Sequence, residues 1–295
     1  MRASRFLIVL NPAAGHARRQ HIDRIAMALK AAGAAVVDIH ETRGPGDAIT
    51  ALPALAGNYD VVVAAGGDGT VNEVLNGLRE HPALTLGIIP CGTTNVLATE
   101  LGLPTAATGI AAVLAAGHTR NIHPGTVNDR RFGMMVGVGY DAWVVAGVDA
   151  ALKKKIGKLA YVLSMLRELR RFGRQRYRLE LDGVVHEAGS AVLTLGRHYA
   201  GSYILARDAR IDAAEMDVVL VQTASAATFL LMLFALPLGL AARLPFMKTV
   251  KARSARISLV DGGSEALQAD GDIAGALPST VTVNDKAIRV LVPAQ

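Results

Sequence analysis

Three short segments rich in glycine and small polar residues each follow an apolar run that is typical of a buried β-strand. The segments are Asn11-Pro12-Ala13-Ala14-Gly15, Gly66-Gly67-Asp68-Gly69-Thr70 and Gly92-Thr93-Thr94-Asn95. Glycine permits positive φ and close approach of a ligand, so several backbone N–H groups can converge on phosphate oxygens where a helix begins. Together the segments predict a phosphate-binding crevice at the carboxyl ends of parallel strands, with Thr70 as the cap of a helix that starts at Val71.

Two other nucleotide-binding patterns are excluded. No Gly-x-x-x-x-Gly-Lys-Ser/Thr sequence is present, so the chain is not a P-loop enzyme. The segment Gly137-Val138-Gly139-Tyr140-Asp141-Ala142 matches a dinucleotide fingerprint on paper. It lies outside the βαβ half of the chain and lacks the acidic residue expected about 20 residues further on, so we assign no dinucleotide to it.

The elements that must position the three loops alternate in type over residues 1–125. Strand-like apolar runs and segments of helical period follow one another at short spacing, which is typical of βαβ units that form a parallel sheet. The predicted strands are residues 6–10, 34–40, 59–65 and 84–89. The predicted helices are residues 16–32, 46–55, 71–79, 93–101 and 105–116.

After residue 125 the pattern changes to short strands, predicted at residues 132–138, 177–181, 190–195, 216–222, 256–260 and 280–283. Two helix-like inserts interrupt them: residues 155–171 are basic, and residues 224–242 are almost wholly apolar. The sequence therefore predicts an α/β domain with a parallel sheet over residues 1–125 and a β-rich domain over residues 126–295. The last strand of the second domain is a candidate to return toward the first.

Bulk composition agrees with two folded domains. A chain of 295 residues exceeds the size at which one hydrophobic core is usual, and 51% apolar with 19% charged residues excludes a disordered chain. The single cysteine, Cys91, cannot form an internal disulfide, which favours a reducing cytoplasm. Residues 6–10 are too short for a secretion signal, and residues 228–242, interrupted by Pro237, fall short of the ~18 residues that span a bilayer.

The positive charge of the chain is local. Residues 153–178 contain ten Lys or Arg and one acid, so this segment has a net charge of +9. Since the whole chain has a net charge of +6, the remaining residues sum to −3. Aromatic residues make up only 4% of the chain and no nucleic-acid-binding motif is present, so we expect no nucleic-acid partner. The basic segment needs another explanation.

The ordered set of motifs resembles the diacylglycerol kinase catalytic-domain family, which includes bacterial lipid kinases and the sphingosine and ceramide kinases. The resemblance covers nearly the whole chain. The loop of residues 66–70 alone is shared with NAD kinases and phosphofructokinases, whereas the ordered set is much more specific. The matching parts are Asn11-Pro12-x-x-Gly15, Thr42 with Gly46-Asp47-Ala48, Gly66-Gly67-Asp68-Gly69-Thr70-x-Asn72-Glu73, Gly92-Thr93-x-Asn95, Val138-Gly139-x-Asp141-Ala142 and Asp270-Gly271-Asp272.

This resemblance implies an NAD kinase/phosphofructokinase-like N-terminal domain that holds ATP and a β-rich sandwich domain that receives a lipid. It implies that Asp68 lies nearest the catalytic Mg²⁺ and the phosphates. The proton acceptor, the acid that ends the family's Asp-Gly-Glu/Asp motif, falls on Asp272 ahead of Asp270; without the family match, a tight turn between strands is the favoured interpretation of this segment. The implied nucleotide contacts are Asn11, Thr42, Gly66, Gly67, Asp68, Gly69, Thr70, Val71, Asn72 and Thr93.

One departure from the family pattern concerns a second, structural Mg²⁺. Bacterial members often carry an Asp-Gly pair after the central strands, where the aspartate helps to hold this ion. The matching stretch here contains Ala213-Ala214 instead. A second metal site would therefore need Asp212 or Asp217 as a substitute.

Two segments of the second domain suggest how a lipid is reached. The predicted helix 155–171 has an apolar stripe that includes Leu163 and Leu166 and is surrounded by basic residues: Lys153, Lys154, Lys155, Lys158, Arg167, Arg170 and Arg171. Such a helix fits an anionic membrane surface, and a core-facing helix with a solvated basic face fits equally well. Residues 229–236 are a candidate wall of an acyl-chain cleft, with Arg243 and Lys248 at its mouth, or else a buried core helix.

The sequence thus predicts an ATP- and Mg²⁺-dependent lipid kinase that acts on a diacylglycerol-like lipid. Its expected location is the cytoplasm, with peripheral association at the inner face of the membrane. A sphingoid or ceramide kinase is the nearest alternative, followed by a soluble-substrate kinase of the NAD type and a catalytically silent lipid-binding protein. Pairing of two copies into a homodimer is left open.

Overall fold

The computed structural model describes residues 4–15, 19–148, 159–169 and 172–294. The chain forms two compact units, residues 1–122 with residues 286–295, and residues 123–285. The predicted division placed the boundary at residue 125 and assigned residues 126–295 to the second domain. The C-terminal residues belong to the first unit, the return that the sequence named as a candidate, because the last strand pairs with strands of that unit.

The first unit contains a six-stranded sheet. Its strands are β1 (Arg5–Leu10), β2 (Val36–Glu41), β3 (Val61–Gly66), β4 (Thr85–Pro90), β5 (Thr119–Ile122) and β20 (Ile288–Leu291). They lie in the order β2-β1-β3-β4-β20-β5. The strands from β2 to β20 in this order run parallel, and only the edge strand β5 is antiparallel to its neighbour. This arrangement confirms the predicted α/β domain with a parallel sheet.

Helices follow the strands of the first unit as the alternating pattern predicts. They are α1 (Arg19–Ala31), α2 (Asp47–Leu55), α3 (Asp68–Gly77), α4 (Val96–Glu100) and α5 (Ala107–Ala116). Apolar side chains of α1 and α5, including Ile25 and Ile110, share one core with strand residues such as Ile8 and Val63. Because the inner strands are buried on both faces, they read as continuous apolar runs in the sequence.

The second unit is an antiparallel sandwich. The strands are β6 (Gly125–Val127), β7 (Arg130–Phe132), β8 (Met135–Val138), β9 (Tyr177–Leu181), β10 (Val184–Ala188), β11 (Ser190–Thr194), β12 (His198–Tyr199), β13 (Tyr203–Ile204), β14 (Met216–Val221), β15 (Met247–Ala252), β16 (Ser254–Leu259), β17 (Ala266–Ala269), β18 (Asp272–Ala276) and β19 (Ser279–Val283). One sheet has the order β10-β9-β16-β19-β6-β7, the other has the order β15-β14-β11-β8-β17-β18, and β12 pairs with β13. The predicted β-rich sandwich is confirmed.

Strand β14 shows how the sandwich is layered. Val218 and Leu220 point into the core between the two sheets, whereas Val219 and Val221 belong to a second apolar cluster on the other side of the strand. That second cluster also contains residues of α6 (Tyr140–Ala146) and α8 (Ala226–Ala235), and Met165 of α7 (Leu159–Glu168) packs against it. Since β14 is covered on both faces, nearly all of its residues are apolar.

Several predicted elements have other bounds in the structure, and three of the differences involve residues of the site or of the apolar insert. The predicted strand 132–138 is divided into β7 and β8, because the backbone N–H groups of Gly133 to Met135 donate to the Asp270 carboxylate. The predicted helix 224–242 ends at Ala235, close to Pro237 and a left-handed Gly239. The helix predicted at residues 71–79 begins earlier, at Asp68. None of the helices in the described part of the chain combines the length and apolar character that a membrane crossing requires.

Candidate functional site

The loop after β1 is tied to the first turn of α3 by a side-chain contact. Strands β1 and β3 are parallel neighbours, so the residues that follow them lie at the same edge of the sheet. The Nδ2 of Asn11 donates a hydrogen bond to Oγ1 of Thr70 at 3.1 Å, and the Asn11 backbone N–H donates to the Ala65 carbonyl at 3.0 Å. In the sheet, β2 lies on one side of β1 and β3 lies on the other, so the strand order reverses between β1 and β3. Open α/β sheets bind ligands at such a switch point.

The loops after β3 and β4 touch each other through their backbones. A Cβ added at Gly92 would lie 2.5 Å from the Gly67 Cα, and one added at Gly67 would lie 3.2 Å from the Gly92 Cα. A Cβ at Gly66 would overlap the Thr70 side chain. Glycine is therefore required at position 92, and a Cβ at position 67 would be in tight contact, so the two loops meet with no side chain between them.

The first turn of α3 is built to meet an anion. Gly67 is the N-cap and, as a glycine, has no side chain that could accept a hydrogen bond from the first turn. The predicted capping role of Thr70 is wrong: Thr70 lies inside the helix, and its hydroxyl accepts from Asn11 instead. Because the N–H groups of a first turn have no intrahelical acceptor and carry the positive end of the helix dipole, this turn can bind phosphate oxygens.

Asp68 and Asn95 hold the second and third loops in place. The Asp68 Oδ1 accepts a hydrogen bond from the Val96 backbone N–H at 2.6 Å, which fixes the start of α4 against the first turn of α3. Asn95 has φ 48° and bonds both the N–H and the carbonyl of Gly92, at 2.9 and 2.7 Å. Asp68 is thus placed between two of the predicted phosphate loops.

The other predicted nucleotide contacts differ in exposure. Thr42 follows β2, and its backbone N–H donates to the Leu10 carbonyl at 2.8 Å, which keeps it at the same edge of the sheet. Thr93 is exposed in the loop before α4, and Gly69 lies in the partly exposed first turn of α3. Val71 and Asn72 are buried, so their side chains pack inside the unit and do not line an open surface.

In the second unit, Asp270 and Gly271 form the two-residue turn of the hairpin β17–β18. Both have positive φ, 50° and 88°, as a type I′ turn requires, and Ala269 pairs with Asp272 across the turn. The Asp270 carboxylate accepts hydrogen bonds from the backbone N–H groups of residues 133, 134 and 135 at 2.7 to 3.1 Å. Asp270 therefore holds the backbone, whereas Asp272 is exposed at the start of β18.

Gln268 links this turn to a buried carboxylate that the sequence analysis did not assign. Its Oε1 accepts from the Gly271 backbone N–H at 2.9 Å, and its Nε2 donates to Asp141 Oδ2 at 2.5 Å. The Tyr199 hydroxyl donates to the other oxygen of the same carboxylate. Burial raises the pKa of Asp141, and the two hydrogen bonds oppose that rise.

The rejected dinucleotide fingerprint is explained by this network. Gly139 is the N-cap of α6 with φ 75°, and Asp141 lies in the first turn of that helix. A side chain at Gly137 would overlap the Asp141 carboxylate, so the glycine leaves room for the acid. The spacing Gly-x-Gly-x-Asp thus serves to bury a carboxylate beside the β17–β18 hairpin, and it was the available sequence signal for this site.

Comparison with known proteins assigns the family. The model described as the diacylglycerol kinase catalytic domain matches residues 5–127, and the one described as the YegS C-terminal NAD kinase beta sandwich-like domain matches residues 134–292. The diacylglycerol kinase of Staphylococcus saprophyticus subsp. saprophyticus is 31% identical over 291 residues, which cover 97% of this chain and 94% of that protein. The chain belongs to the diacylglycerol kinase family. The diacylglycerol kinase of Staphylococcus carnosus is 30% identical over the same shares of both chains.

Solved structures agree with the fold of this family. A diacylglycerol kinase from Bacillus anthracis str. Sterne has a TM-score of 0.82 and 24% identity, over 99% of this chain and 98% of that chain. Yeast NADH kinase complexed with NADH has a TM-score of 0.54 and 11% identity, over 100% and 85% of the two chains. The predicted family resemblance and the NAD kinase-like fold class are both confirmed.

The acids that could replace the family's second metal site each have a basic partner. Lys251 of β15 lies 3.7 Å from Asp217 Oδ1 and also contacts Glu215. Arg210 lies 3.3 Å from Asp212. Within the described ranges, no three His, Cys, Asp or Glu side chains come together as a metal-binding group. Burial raises the pKa of Asp217, and the nearby Lys251 opposes that rise.

Only part of the basic segment of this kinase lies among the described residues. Residues Lys153, Lys154, Lys155, Lys158, Arg170 and Arg171 lie outside the described residues. Leu163 and Leu166 of α7 are exposed, whereas Met165 packs against the cluster that contains Phe172 and Phe229. The apolar segment 229–236 is not a buried core helix, because most of its large side chains are exposed.

Proposed function

We propose that this chain transfers the γ-phosphate of ATP to the hydroxyl of a diacylglycerol-like lipid. One observation carries the proposal: the backbone-to-backbone contact of Gly67 and Gly92 at the start of α3, in a chain that matches diacylglycerol kinases over nearly its whole length. The contact supports phosphate binding on physical grounds. Family membership supports the predicted enzyme class, an ATP-dependent lipid kinase.

The first unit supplies the nucleotide contacts in this proposal. The N–H groups at the start of α3 bind phosphate oxygens, and Asn11 and Thr70, which are joined by a hydrogen bond, keep the adjoining loop in register. Thr42, Gly69 and Thr93 contribute from the same edge of the sheet, while the buried Val71 and Asn72 contribute packing and backbone groups. Phosphoryl transfer asks a protein mainly for such positioning and charge neutralisation.

Asp68 is the proposed residue for Mg²⁺. A single carboxylate fits this ion, because Mg²⁺ is usually held by one or two carboxylates together with substrate phosphates and water. Asp68 lies beside the first turn of α3, where its Oδ1 already accepts the Val96 N–H. When bound, Mg²⁺ neutralises charge on the phosphates and acts as a Lewis acid.

Asp272 is the proposed general base. As the lipid oxygen forms its bond to the γ-phosphorus, the bond from that phosphorus to the bridging oxygen of ADP breaks, and the hydroxyl proton passes to the Asp272 carboxylate. Asp272 suits this role because it is exposed, whereas the carboxylate of Asp270 is occupied by backbone donors. ADP and the phosphorylated lipid are the products.

The proposed location is the cytoplasm, with peripheral association at the anionic inner face of the membrane. Two features support it: the single thiol of Cys91, which can form no internal disulfide, and the cationic segment 153–178. The acceptor is a membrane lipid, so the kinase has to reach a bilayer surface.

The test uses ATP labelled on its γ-phosphate and, as separate acceptors in mixed micelles, diacylglycerol, phosphatidylglycerol, ceramide, sphingosine and NAD. We expect label in diacylglycerol above the other acceptors, and none when Mg²⁺ is chelated. Label in NAD alone would contradict a lipid acceptor, and label in ceramide or sphingosine alone would move the substrate to the sphingoid class. Label in no acceptor would contradict kinase activity itself.

A further inference from the structure

Helix α8 has one face in the core and one face in solvent. On its inner face Phe229 is buried, with its ring 4.9 Å from that of Tyr140 and 6.1 Å from that of Phe172. A capping box between Ser225 and Thr228 fixes the start of the helix. The helix is therefore anchored firmly, and the exposure of its other face is a property of the fold.

That other face is made of large apolar side chains, which we call the α8 ridge. Phe234 is 73% exposed and Leu238, in the turn after the helix, is 70% exposed. The ridge consists of Leu230, Leu231, Leu233, Phe234, Leu238 and Leu240, all of which are exposed. No charged residue occurs between positions 223 and 242. An ordinary surface helix carries polar residues on its outer side, so a contiguous apolar ridge indicates a binding surface.

Basic side chains lie at the end of the ridge. The Arg207 guanidinium donates a hydrogen bond to the Gly239 carbonyl at 3.0 Å, which places it beside Leu238 and Leu240. Arg243 follows the ridge along the chain and is exposed. Asp208, next to Arg207, is an exposed acid in the same region, so these three residues together carry a net positive charge. A protruding apolar surface with cations beside it matches the acyl boundary and head groups of an anionic bilayer.

We propose that the α8 ridge inserts into the surface of an anionic lipid bilayer and docks this kinase there. The occupant is the bilayer rather than a second copy, because the ridge carries Leu and Phe with cations at its end and no complementary acidic groups among its own residues. The inference rests on the proposed function, which requires access to a lipid, and it assigns that access to residues outside the nucleotide site.

Binding to vesicles tests the proposal without ATP or turnover. The full chain is sedimented with vesicles of phosphatidylcholine alone or of phosphatidylcholine containing phosphatidylglycerol. We expect binding to the anionic vesicles, and at least a tenfold loss of partitioning, about 100-fold if the side chains insert fully, for the triple variant Leu231→Gln, Phe234→Gln, Leu238→Gln. The matched control is Met27→Gln, which removes a comparably exposed apolar side chain from α1 and should bind like the native chain.

The charges of the docking surface are tested separately. Arg207→Gln and Arg243→Gln should each lower binding to anionic vesicles by about fivefold, in line with the interaction of one cation with an anionic surface. Neither change should alter the weak binding to phosphatidylcholine alone. Equal losses on both kinds of vesicle would contradict an electrostatic role for these residues.

A single added fluorophore covers the case in which the triple variant fails to fold. Phe234→Trp should show a blue shift on anionic vesicles and quenching by lipids brominated in their acyl chains, while the buried Trp143 is unchanged. The proposal is overturned if the native chain binds neither vesicle, if the folded triple variant binds like the native chain, or if the tryptophan introduced at position 234 is not quenched. Conversion of a native dimer to monomers by the triple variant, without vesicle binding, would assign the ridge to a second copy.

Vesicle binding and phosphoryl transfer can fail independently. Binding to vesicles without labelling of any lipid would support the docking surface and contradict the proposed function. Phosphorylation of lipid in detergent micelles without binding to vesicles would support the proposed function and contradict docking by the α8 ridge.

Discussion

The side-chain amide of Gln268 joins Asp141 to the hairpin turn that precedes Asp272. Its nitrogen donates to the Asp141 carboxylate at 2.5 Å, and its oxygen accepts from the Gly271 backbone N–H at 2.9 Å. Since an amide has one donor end and one acceptor end, this bridge works in one orientation only. A buried carboxylate thereby restrains the backbone next to the proposed base.

Substitutions that exchange the hydrogen-bond donor and acceptor between positions 141 and 268 test this bridge. In Asp141→Asn one oxygen of the carboxylate becomes an amide nitrogen. If this nitrogen faces Gln268, two donors meet; if it faces Tyr199, the Tyr199 hydroxyl loses its acceptor. We therefore expect a loss of about 1–3 kcal/mol in unfolding free energy. Turnover should fall by about 10- to 100-fold because the turn before Asp272 loses its restraint. The measurements are chemical denaturation and kcat with diacylglycerol.

The matched control is the double variant Asp141→Asn, Gln268→Glu. Its new glutamate can accept both from the amide introduced at position 141 and from the Gly271 N–H, so the bridge is restored with donor and acceptor exchanged. We expect the double variant to recover much of the lost turnover relative to Asp141→Asn. Additive losses in the two single variants, with no recovery in the double variant, would show that the bridge does not position the turn.

The same carboxylate predicts a dependence of stability on pH. Burial raises the pKa of Asp141 above its ordinary value of 3.8 in the folded protein. Below that ordinary value both states are protonated and the contribution of Asp141 is fully present; as pH rises through the higher folded-state pKa, the contribution is lost. The unfolding free energy of the native chain minus that of Asp141→Asn should therefore decline as pH rises from below 3.8. A difference that is flat or increases over this interval would contradict the raised pKa.

The sequence located the glycine-rich loops that follow β3 and β4 because their signals are local. A glycine after an apolar run constrains the backbone within a few residues, so the segments at Gly66 and Gly92 could be identified without tertiary contacts. Thr70 shows the limit of this reasoning, because its hydroxyl accepts from Asn11, 59 residues earlier, instead of capping its own helix. Tertiary partners can replace a local hydrogen bond without leaving any mark on local spacing.

Gln268 could not be predicted for the same reason. Its carboxylate partner Asp141 lies 127 residues away along the chain, and a lone glutamine in a strand carries no pattern. The solvent exposure of residues 224–242 could not be predicted either. An apolar helix without a polar face suggested burial, yet Leu230 and Phe234 are exposed. Periodicity reports which face is apolar, whereas coverage of that face depends on what packs there.

The two aspartates of the hairpin should give different defects. Asp272→Asn should lower kcat by about 10² to 10⁴ with ATP affinity unchanged, because it removes a proton acceptor. Asp270→Ala should instead lower the unfolding free energy by about 3 kcal/mol, because three backbone N–H groups lose a charged acceptor. Single-turnover assays, nucleotide titration and denaturation separate these outcomes. Near-native kcat for Asp272→Asn would remove this residue from the proposed mechanism.

The contact between Gly67 and Gly92 predicts a defect in nucleotide binding. The added Cβ of Gly92→Ala would lie 2.5 Å from the Gly67 Cα, so the two loops must separate. We expect ATP affinity to fall by more than about tenfold, in line with the cost of overpacking. Calorimetric titration measures the affinity. The control is Gly57→Ala, whose added Cβ comes no closer than 4.0 Å to another residue and should leave ATP binding unchanged.

Cys91 offers a chemical probe of the same loops. It directly precedes Gly92, its N–H donates to the Gly66 carbonyl at 2.8 Å, and it is 1% exposed. Burial raises the pKa of its thiol from 9.0 to about 11, which lowers the thiolate fraction near neutral pH by about 100-fold. Alkylation by iodoacetamide at about pH 8 should therefore be at least about 100-fold slower in the native chain than in urea.

Saturating ATP should slow this alkylation further. If the thiol reacts only when the loops open, a ligand that binds the closed state reduces the open population by the factor 1 + [ATP]/Kd, about 100-fold at 100 times Kd. Mass spectrometry of the alkylated peptide measures the rate with and without ATP. A rate in native buffer equal to that in urea would contradict the burial of Cys91. A slow rate that ATP does not change would separate Cys91 from the nucleotide loops, because binding there must stabilise the backbone of Gly92.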